Sequence, residues 1–209
     1  MRLILVLLPI LCVTYSACAD SPYFPVRKKQ GDAGISEFEA QWYGKALSLM
    51  KEPRLPEVAK DKKAVVYRFT ILPTWGNPIA VRAEKQDGIY SLFARRLDGD
   101  GGYDPGKLVE QKDLKLSEPD SKSLDSLVTA LKFFHMPSED EVEGCDGDEW
   151  ILEGVADGKY HFVQRWCAGK YDPKERKLQP FLALCKFLID KSTLSERPKN
   201  KGHELIPAK

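Results

Sequence analysis

AVVYRFTILPTWGNPIAVRAEKQDGIYSLFARR, residues 64–96, holds three apolar runs divided by two turns, and its reading decides the fold. Ala64–Leu72 is rich in β-branched and aromatic residues, which suit the pleated surface of a strand. Pro73–Pro78 breaks the run. Ile79–Gln86 alternates Ile79, Val81 and Ala83 with Arg82 and Glu84, the period of a strand. Asp87-Gly88 marks a tight hairpin, because glycine accepts the positive φ that such turns require. Ile89–Arg96 returns as a third strand, and a Gly-rich loop leads to Lys107–Leu116, a fourth.

Upstream, Ser36 and Glu39 have the spacing of a capping box, whose side chains satisfy each other's free backbone N–H groups at a helix start. Phe38, Trp42, Ala46 and Met50 follow at helical spacing, with Tyr43 and Leu47 beside them, and predict an aromatic face packed on the sheet. Pro53 ends that helix. Residues 20–34 contain prolines and glycines without apolar periodicity and read as a linker.

Downstream, Ser121–Phe134 reads as a second helix, with Leu124, Leu127, Val128, Leu131 and Phe134 on one face, and Pro137 closes it. A second hairpin follows. Pairing it about a three-residue loop, Ala156-Asp157-Gly158, sets Leu152 opposite Phe162, Ile151 opposite Val163, Glu153 opposite His161 and Glu149 opposite Arg165. That register turns Trp150, Leu152, Tyr160 and Phe162 to the core and pairs charges outside. Pro180 opens a last helix with Phe181, Leu184, Cys185 and Leu188 as its apolar stripe. Residues 191–209 are polar and Lys-rich, and read as a flexible tail. The order of elements predicts an α+β protein. It would be one domain over 35–190, with a single antiparallel sheet of five or six strands and about three helices packed on one face of it.

The first nineteen residues read as an address. Arg2 is the only charge before Asp20, Leu3–Val13 is apolar apart from Pro9, and Ser16, Ala17 and Ala19 are small. A basic start, a short apolar run and small residues at the end describe a secretory signal peptide, 1–19. The run falls short of the roughly 20 residues that a membrane-spanning helix needs. Ala17-Cys18-Ala19 suits ordinary signal cleavage. Ser16-Ala17-Cys18 also resembles the end of a bacterial lipobox, in which Cys18 would be lipidated, although Tyr15 departs from that motif. The expected location is therefore the periplasm, or the outer membrane if Cys18 carries a lipid anchor.

The 209 residues are 43% apolar, enough for a core and too many for general disorder. Lys and Arg number 32 against 31 Asp and Glu, and past residue 19 there are 31 of each. Such a balance offers no basic footprint for nucleic acid. No phosphate loop, zinc-helix motif or nucleophile elbow is present, and no cofactor is expected.

Four groups of residues invite chemistry. Asp98, Asp100 and Asp104 suggest a calcium loop, but Tyr103 and Val109 stand where an EF-hand needs glycine and glutamate, so turn-capping aspartates are the simpler reading. Residues 138–149 carry seven carboxylates, Glu139, Asp140, Glu141, Glu143, Asp146, Asp148 and Glu149. They form either a solvated loop or a negative surface for a protein partner. Cys145 and Cys167 flank the second hairpin and are expected to form a disulfide in an oxidising compartment, leaving Cys185 buried. Arg68, Arg82 and Arg96, with Glu84 between them, read as a salt-bridged, solvent-facing strip. His135, His161 and His203 have no metal-ligand spacing.

YRFTIL (67–72), PIAVR (78–82), GGYDPGKL (101–108) and CDGDEWILEGVADGKYHFVQRW (145–166) together resemble an uncharacterised family of exported bacterial proteins. Its members share Y-R-F, G-G-Y-x-P-G and D-G-x-x-W-x-L-E-G…Y-H-x-V-x-R-W segments. The resemblance spans about residues 65–190 and implies export, with no activity, cofactor or catalytic residue; Cys145 and Cys167 depart from the common pattern. The function expected is that of a non-enzymatic, protein-binding factor of the cell envelope, of inhibitor or immunity type, acting through the acidic loop. The rival expectation is a periplasmic hydrolase whose carboxylates, such as Asp98, Asp104 and Glu153, meet only in three dimensions. A calcium-dependent adhesion protein is a third.

Overall fold

A computed structural model describes residues 22–29 and 34–208. The expected signal segment, with Cys18, lies outside them. The fold is α+β: β1 (Val66–Pro73), β2 (Ile79–Gln86), β3 (Ile89–Leu97), β4 (Leu108–Lys115), β5 (Asp148–Ala156) and β6 (Lys159–Trp166) form one antiparallel sheet in the order β4-β3-β2-β1-β5-β6. The helices are α1 (Glu37–Leu49), the short α2 (Leu55–Val58), α3 (Glu118–Leu131) and α4 (Gln179–Lys191). A small hairpin, β7 (Lys199–Asn200) with β8 (His203–Glu204), follows. Among the described residues, no helix is long and apolar enough to cross a membrane.

The helices cover both faces of the sheet, not one. β1 is buried along its whole length because its alternate side chains enter two different cores. Tyr67, Phe69 and Ile71 point to the face under α3 and α4, where they meet Trp150, Leu152, Leu124, Phe181 and Leu184. Leu72, Ile151 and Phe162 point the other way, toward Tyr43, Leu47 and Met50 of α1. A strand covered on both sides reads as a near-continuous apolar run, which is what 64–72 shows.

The capping box of α1 is formed, and it sets the helix on that second face. The buried side is Ala40, Tyr43, Ala46, Leu47 and Met50, so the expected aromatic stripe is rotated: Phe38 is 74% exposed and Trp42 only half-buried. α3 begins three residues earlier than the periodicity suggests, because Ser117 caps it by accepting from Asp120 N. It stops at Lys132, which adopts a left-handed conformation.

The second hairpin is shifted by one residue from its expected register. Asp157 and Gly158, at φ 53° and 73°, make a two-residue turn like Asp87-Gly88, so Ala156 pairs with Lys159. Leu152 therefore faces Val163, Glu153 faces Phe162 and Glu149 faces Trp166. A slip of one residue moves every side chain to the other face. Phe162 and half-buried Tyr160 thereby join the α1 core on the face of Glu153, which the helical layer there buries. His161 packs its ring 5.1 Å from that of Phe133, and burial holds its pKa below the usual value.

Arg68 and Arg82 are inside too, contrary to the solvent-facing strip expected. Arg68 Nε donates to Glu153 Oε2 (2.7 Å) and Nη1 to the Pro53 carbonyl (2.7 Å) and Glu52 (3.4 Å). Arg82 Nε donates to the same Glu52 carboxylate (2.8 Å) and also pairs with Glu84, while Tyr160 donates to Glu153 (3.0 Å). Alternation along β1 puts Arg68 on the α1 face, and burial there is tolerable only because carboxylates meet it.

The first and last described segments are more tightly held than their composition suggests. In the expected linker, Tyr23 and Phe24 are buried, Tyr23 donates to the Glu52 carbonyl, and Val26 bridges to Ile35. Two aromatic residues in so polar a stretch suffice to anchor it. In the expected tail, Ile206 is buried, and Asn200 ties β7 to Trp75 N (3.2 Å) and the Gly147 carbonyl (2.6 Å).

Candidate functional site

A cleft of about 400 Å³ opens between the first turn of α1, the acidic loop and the outer end of β6. The cap of α1 supplies its first element. Glu39 Oε2 accepts from Ser36 N (2.9 Å) and Ser36 Oγ (2.7 Å), which leaves Oε1 turned to the sheet. There Gln164 Nε2 donates to Glu39 Oε1 (3.1 Å), to Tyr43 Oη (2.8 Å) and, at the limit of hydrogen bonding, to Glu149 Oε2 (3.5 Å). One amide thus holds two carboxylates and a phenol together. Gln164 Oε1 is buried, with no hydrogen-bond donor among the described residues.

Aromatic rings line the rest. Trp42 is fixed by its indole N–H on the Gly101 carbonyl (2.5 Å), and the Phe38 ring lies 6.1 Å from it. Trp166 stacks on Tyr171 at 4.9 Å and presses on Gly144, where a Cβ would meet the ring at 2.1 Å. Any side chain at 144 would lift the acidic loop off Trp166.

The two carboxyls are driven apart electrostatically. Burial, then the negative charges of Glu39 and Asp148, push Glu149 up to about 7 against the opposing amide of Gln164. Burial acts on Glu39 in the same upward sense, but the Ser36 hydroxyl, the Gln164 amide and the Ser36 N–H outweigh it and hold it below the usual range. Burial, with Glu149 and Glu39 nearby, raises the Tyr43 phenol, which stays neutral. Near neutral pH the pair therefore carries between one and two negative charges.

The seven carboxylates of 138–149 do not act as one patch. Glu139 pairs with Arg27 (2.5 Å), and Asp140 is held by Arg176 (2.8 Å) and Arg165 (3.4 Å). Arg165, expected opposite Glu149, instead spans Asp140 and the carbonyls of Pro137 and Ser138. Asp148 is buried, accepting from the Trp150 indole (2.5 Å). Glu141, Glu143 and Asp146 are exposed, and Glu143 and Glu149 line the cleft. Among the described residues, no cation pairs with Glu143 or Glu149.

The expected bridge between Cys145 and Cys167 is not made in the structure, where both are free thiols. The corrected register gives the reason. Cys167 N donates to the Asp148 carbonyl, and its Sγ lies against Gly147 and 3.6 Å from Asp148 Oδ1, while Cys145 stands outside on the loop. Burial and the Asp148 charge push the Cys167 thiol up to about 12, and burial raises Cys185 well above the usual thiol range. Cys167 also borders a second cavity, of about 540 Å³, beneath the β7–β8 hairpin. Of Cys145, Cys167 and Cys185, a thiol-disulfide reagent should therefore modify Cys145 alone in the native protein, with the other two reacting only after unfolding. Among these three, no reaction before unfolding and reaction of Cys185 alone afterwards would instead establish the bridge.

The carboxylates named for a hydrolase are not brought together. Glu153 is enclosed with Arg68, and Asp98 and Asp104 are exposed in the 98–106 loop. There Asp98 Oδ1 accepts from Lys107 N (2.7 Å) and Asp104 Oδ1 from Gly106 N (3.3 Å), the turn-capping role. Among the described residues, no three His, Cys, Asp or Glu side chains converge to hold a metal ion. The residues that sequence reasoning missed are Tyr43, Gln164 and the second role of Glu39. The available signal was Glu39 lying one helical turn from Tyr43, a polar residue on the edge of a buried stripe. The chain matches no protein-family model, no curated protein and no solved structure.

Proposed function

We propose that the protein is a non-enzymatic, protein-binding factor exported to the cell envelope, acting on its partner through the face built by the first turn of α1 and the acidic loop. One observation carries the reading: exposed Phe38 stands at the rim of a cleft whose Glu143 and Glu149 have no paired cation among the described residues. An exposed aromatic beside unneutralised charge is the composition of an interface centre with a charged rim. The basic start, apolar run and small-residue end of 1–19 support export. A second reading, a hydrolase, draws support from the opposed shifts of Glu39 and Glu149, the pattern of an acid–base pair. It is weaker because Glu39 is already committed to the cap of α1.

The test is cross-linking in the protein's own cells followed by purification of the tagged chain, wild type beside Phe38→Ser/Glu143→Lys. Both positions are exposed, so the variant should fold. We expect a partner that the wild type retains, more weakly at high salt, and that the variant loses. A partner retained equally by the variant would remove this face from the function.

A further inference from the structure

We propose that the cleft is a receptor for a single organic cation, the guanidinium of an arginine presented by the partner; this rests on the protein-binding reading above and names what that face recognises. Shape, charge and hydrogen-bond demand agree on that chemistry. The walls are rings, Phe38, Trp42, Tyr43 and Trp166, and aromatic faces attract cations. The floor is the Glu39–Glu149 pair, and the arginines nearest it are already engaged, Arg27 by Glu139 and Arg165 and Arg176 by Asp140.

The cleft is also short of donors. Gln164 divides one amide among three acceptors, and among the described residues Glu149 receives only the longest of these bonds. A guanidinium supplies five N–H donors in a plane that stacks on rings. A lysine ammonium is compact and strongly hydrated, so it suits a ring-walled slot less well. A divalent metal would need a closed shell of oxygens, and no three carboxylates converge among the described residues. The volume, about 400 Å³, exceeds a lone guanidinium and leaves room for the methylene stem that carries it.

The test is titration, followed by NMR shifts, with a capped pentapeptide bearing one central arginine. Its citrulline counterpart keeps the shape without the charge, and choline is the free-cation probe. We expect the arginine peptide to bind at least about tenfold more tightly than the citrulline peptide, and both Glu149→Gln and Phe38→Ala to remove about that factor. Equal binding of the two peptides, or an arginine affinity unchanged in Glu149→Gln, overturns the proposal. Choline binding more tightly than the arginine peptide overturns it as well, by making a free amine the ligand. If the peptide fails while Phe38→Ser/Glu143→Lys still loses its cross-linked partner, this inference falls and the protein-binding reading stands; if that partner is kept, both fall.

Discussion

Replacing Arg68 with methionine is expected to destabilise the protein by about 3–5 kcal/mol, the cost of leaving one member of a buried ion pair uncompensated. Arg68 and Glu153 are both fully buried, and Glu153 has Tyr160 as its only other partner among the described residues. Methionine fills much of the volume but leaves the carboxylate with one neutral donor. Urea denaturation should show a lower midpoint with an unchanged slope, as for a loss of stability without a change in compactness. Pairing the change with Glu153→Gln removes the orphan charge while keeping an acceptor for Tyr160. The double variant should recover at least half of the loss. A single-variant loss below about 1 kcal/mol, the range of solvent-exposed pairs, would show that the pair is not dry.

The second large effect concerns pH. Glu149 titrates near 7 in the folded protein against an ordinary value near 4.5, because burial and the charges of Glu39, Asp148 and Glu143 oppose its ionisation. The folded state therefore holds a proton that the unfolded chain releases. The associated stability is fully present below about pH 4.5 and is lost as pH rises through about 7. Glu149→Gln imitates the protonated form. It should match the wild type near pH 4.5 and exceed it by about 1–2 kcal/mol at pH 8, after discounting for the residual exposure of the half-buried side chain. Glu39 works in the opposite sense at lower pH, since its lowered pKa gives stability that disappears as pH falls below the usual glutamate range. Thermal or urea unfolding of both proteins from pH 4.5 to 8 decides the matter. Parallel curves across that range would mean that Glu149 is ordinary.

These effects stand on residues whose roles were legible in the sequence to different degrees. The strands at 64–96 could be read because composition, alternation and the Asp87-Gly88 turn all agree there. The same turn chemistry at Asp157-Gly158, counted as two residues instead of three, would have set Phe162 beside Glu153 and marked that face as partly apolar. What turns a charge-paired surface into a buried ion network is the second helical layer, which covers the face that Arg68 and Glu153 share. The rotation of α1 was hidden for another reason. Phe38 and Trp42 fit an apolar stripe as well as Tyr43 and Leu47 do, and which side is covered depends on distant partners, Tyr23 and Phe24 before the helix and Leu72, Ile151 and Phe162 on the sheet. The cleft was least visible. Glu39, Tyr43, Glu149 and Gln164 come from three elements, and nothing local to any of them requires the others. The acidic loop was visible as charge, but which carboxylates keep it depends on where Arg27, Arg165 and Arg176 reach.

The position of β1 in the sheet also has a consequence for how the chain assembles. One edge of β1 closes almost at once, since β2 follows after a short turn. The other waits for β5, and Arg68 and Glu153, which meet across that seam, are 85 residues apart in sequence. Closing so long a loop carries an entropic cost that later contacts must repay, and pairings of this kind fold slowly. Until it closes, the backbone groups of an apolar strand stand unpaired, open to a second copy of the same strand. Substitutions that delay the docking of β5 should thus appear first as aggregation during refolding at high protein concentration, before any change in the finished molecule.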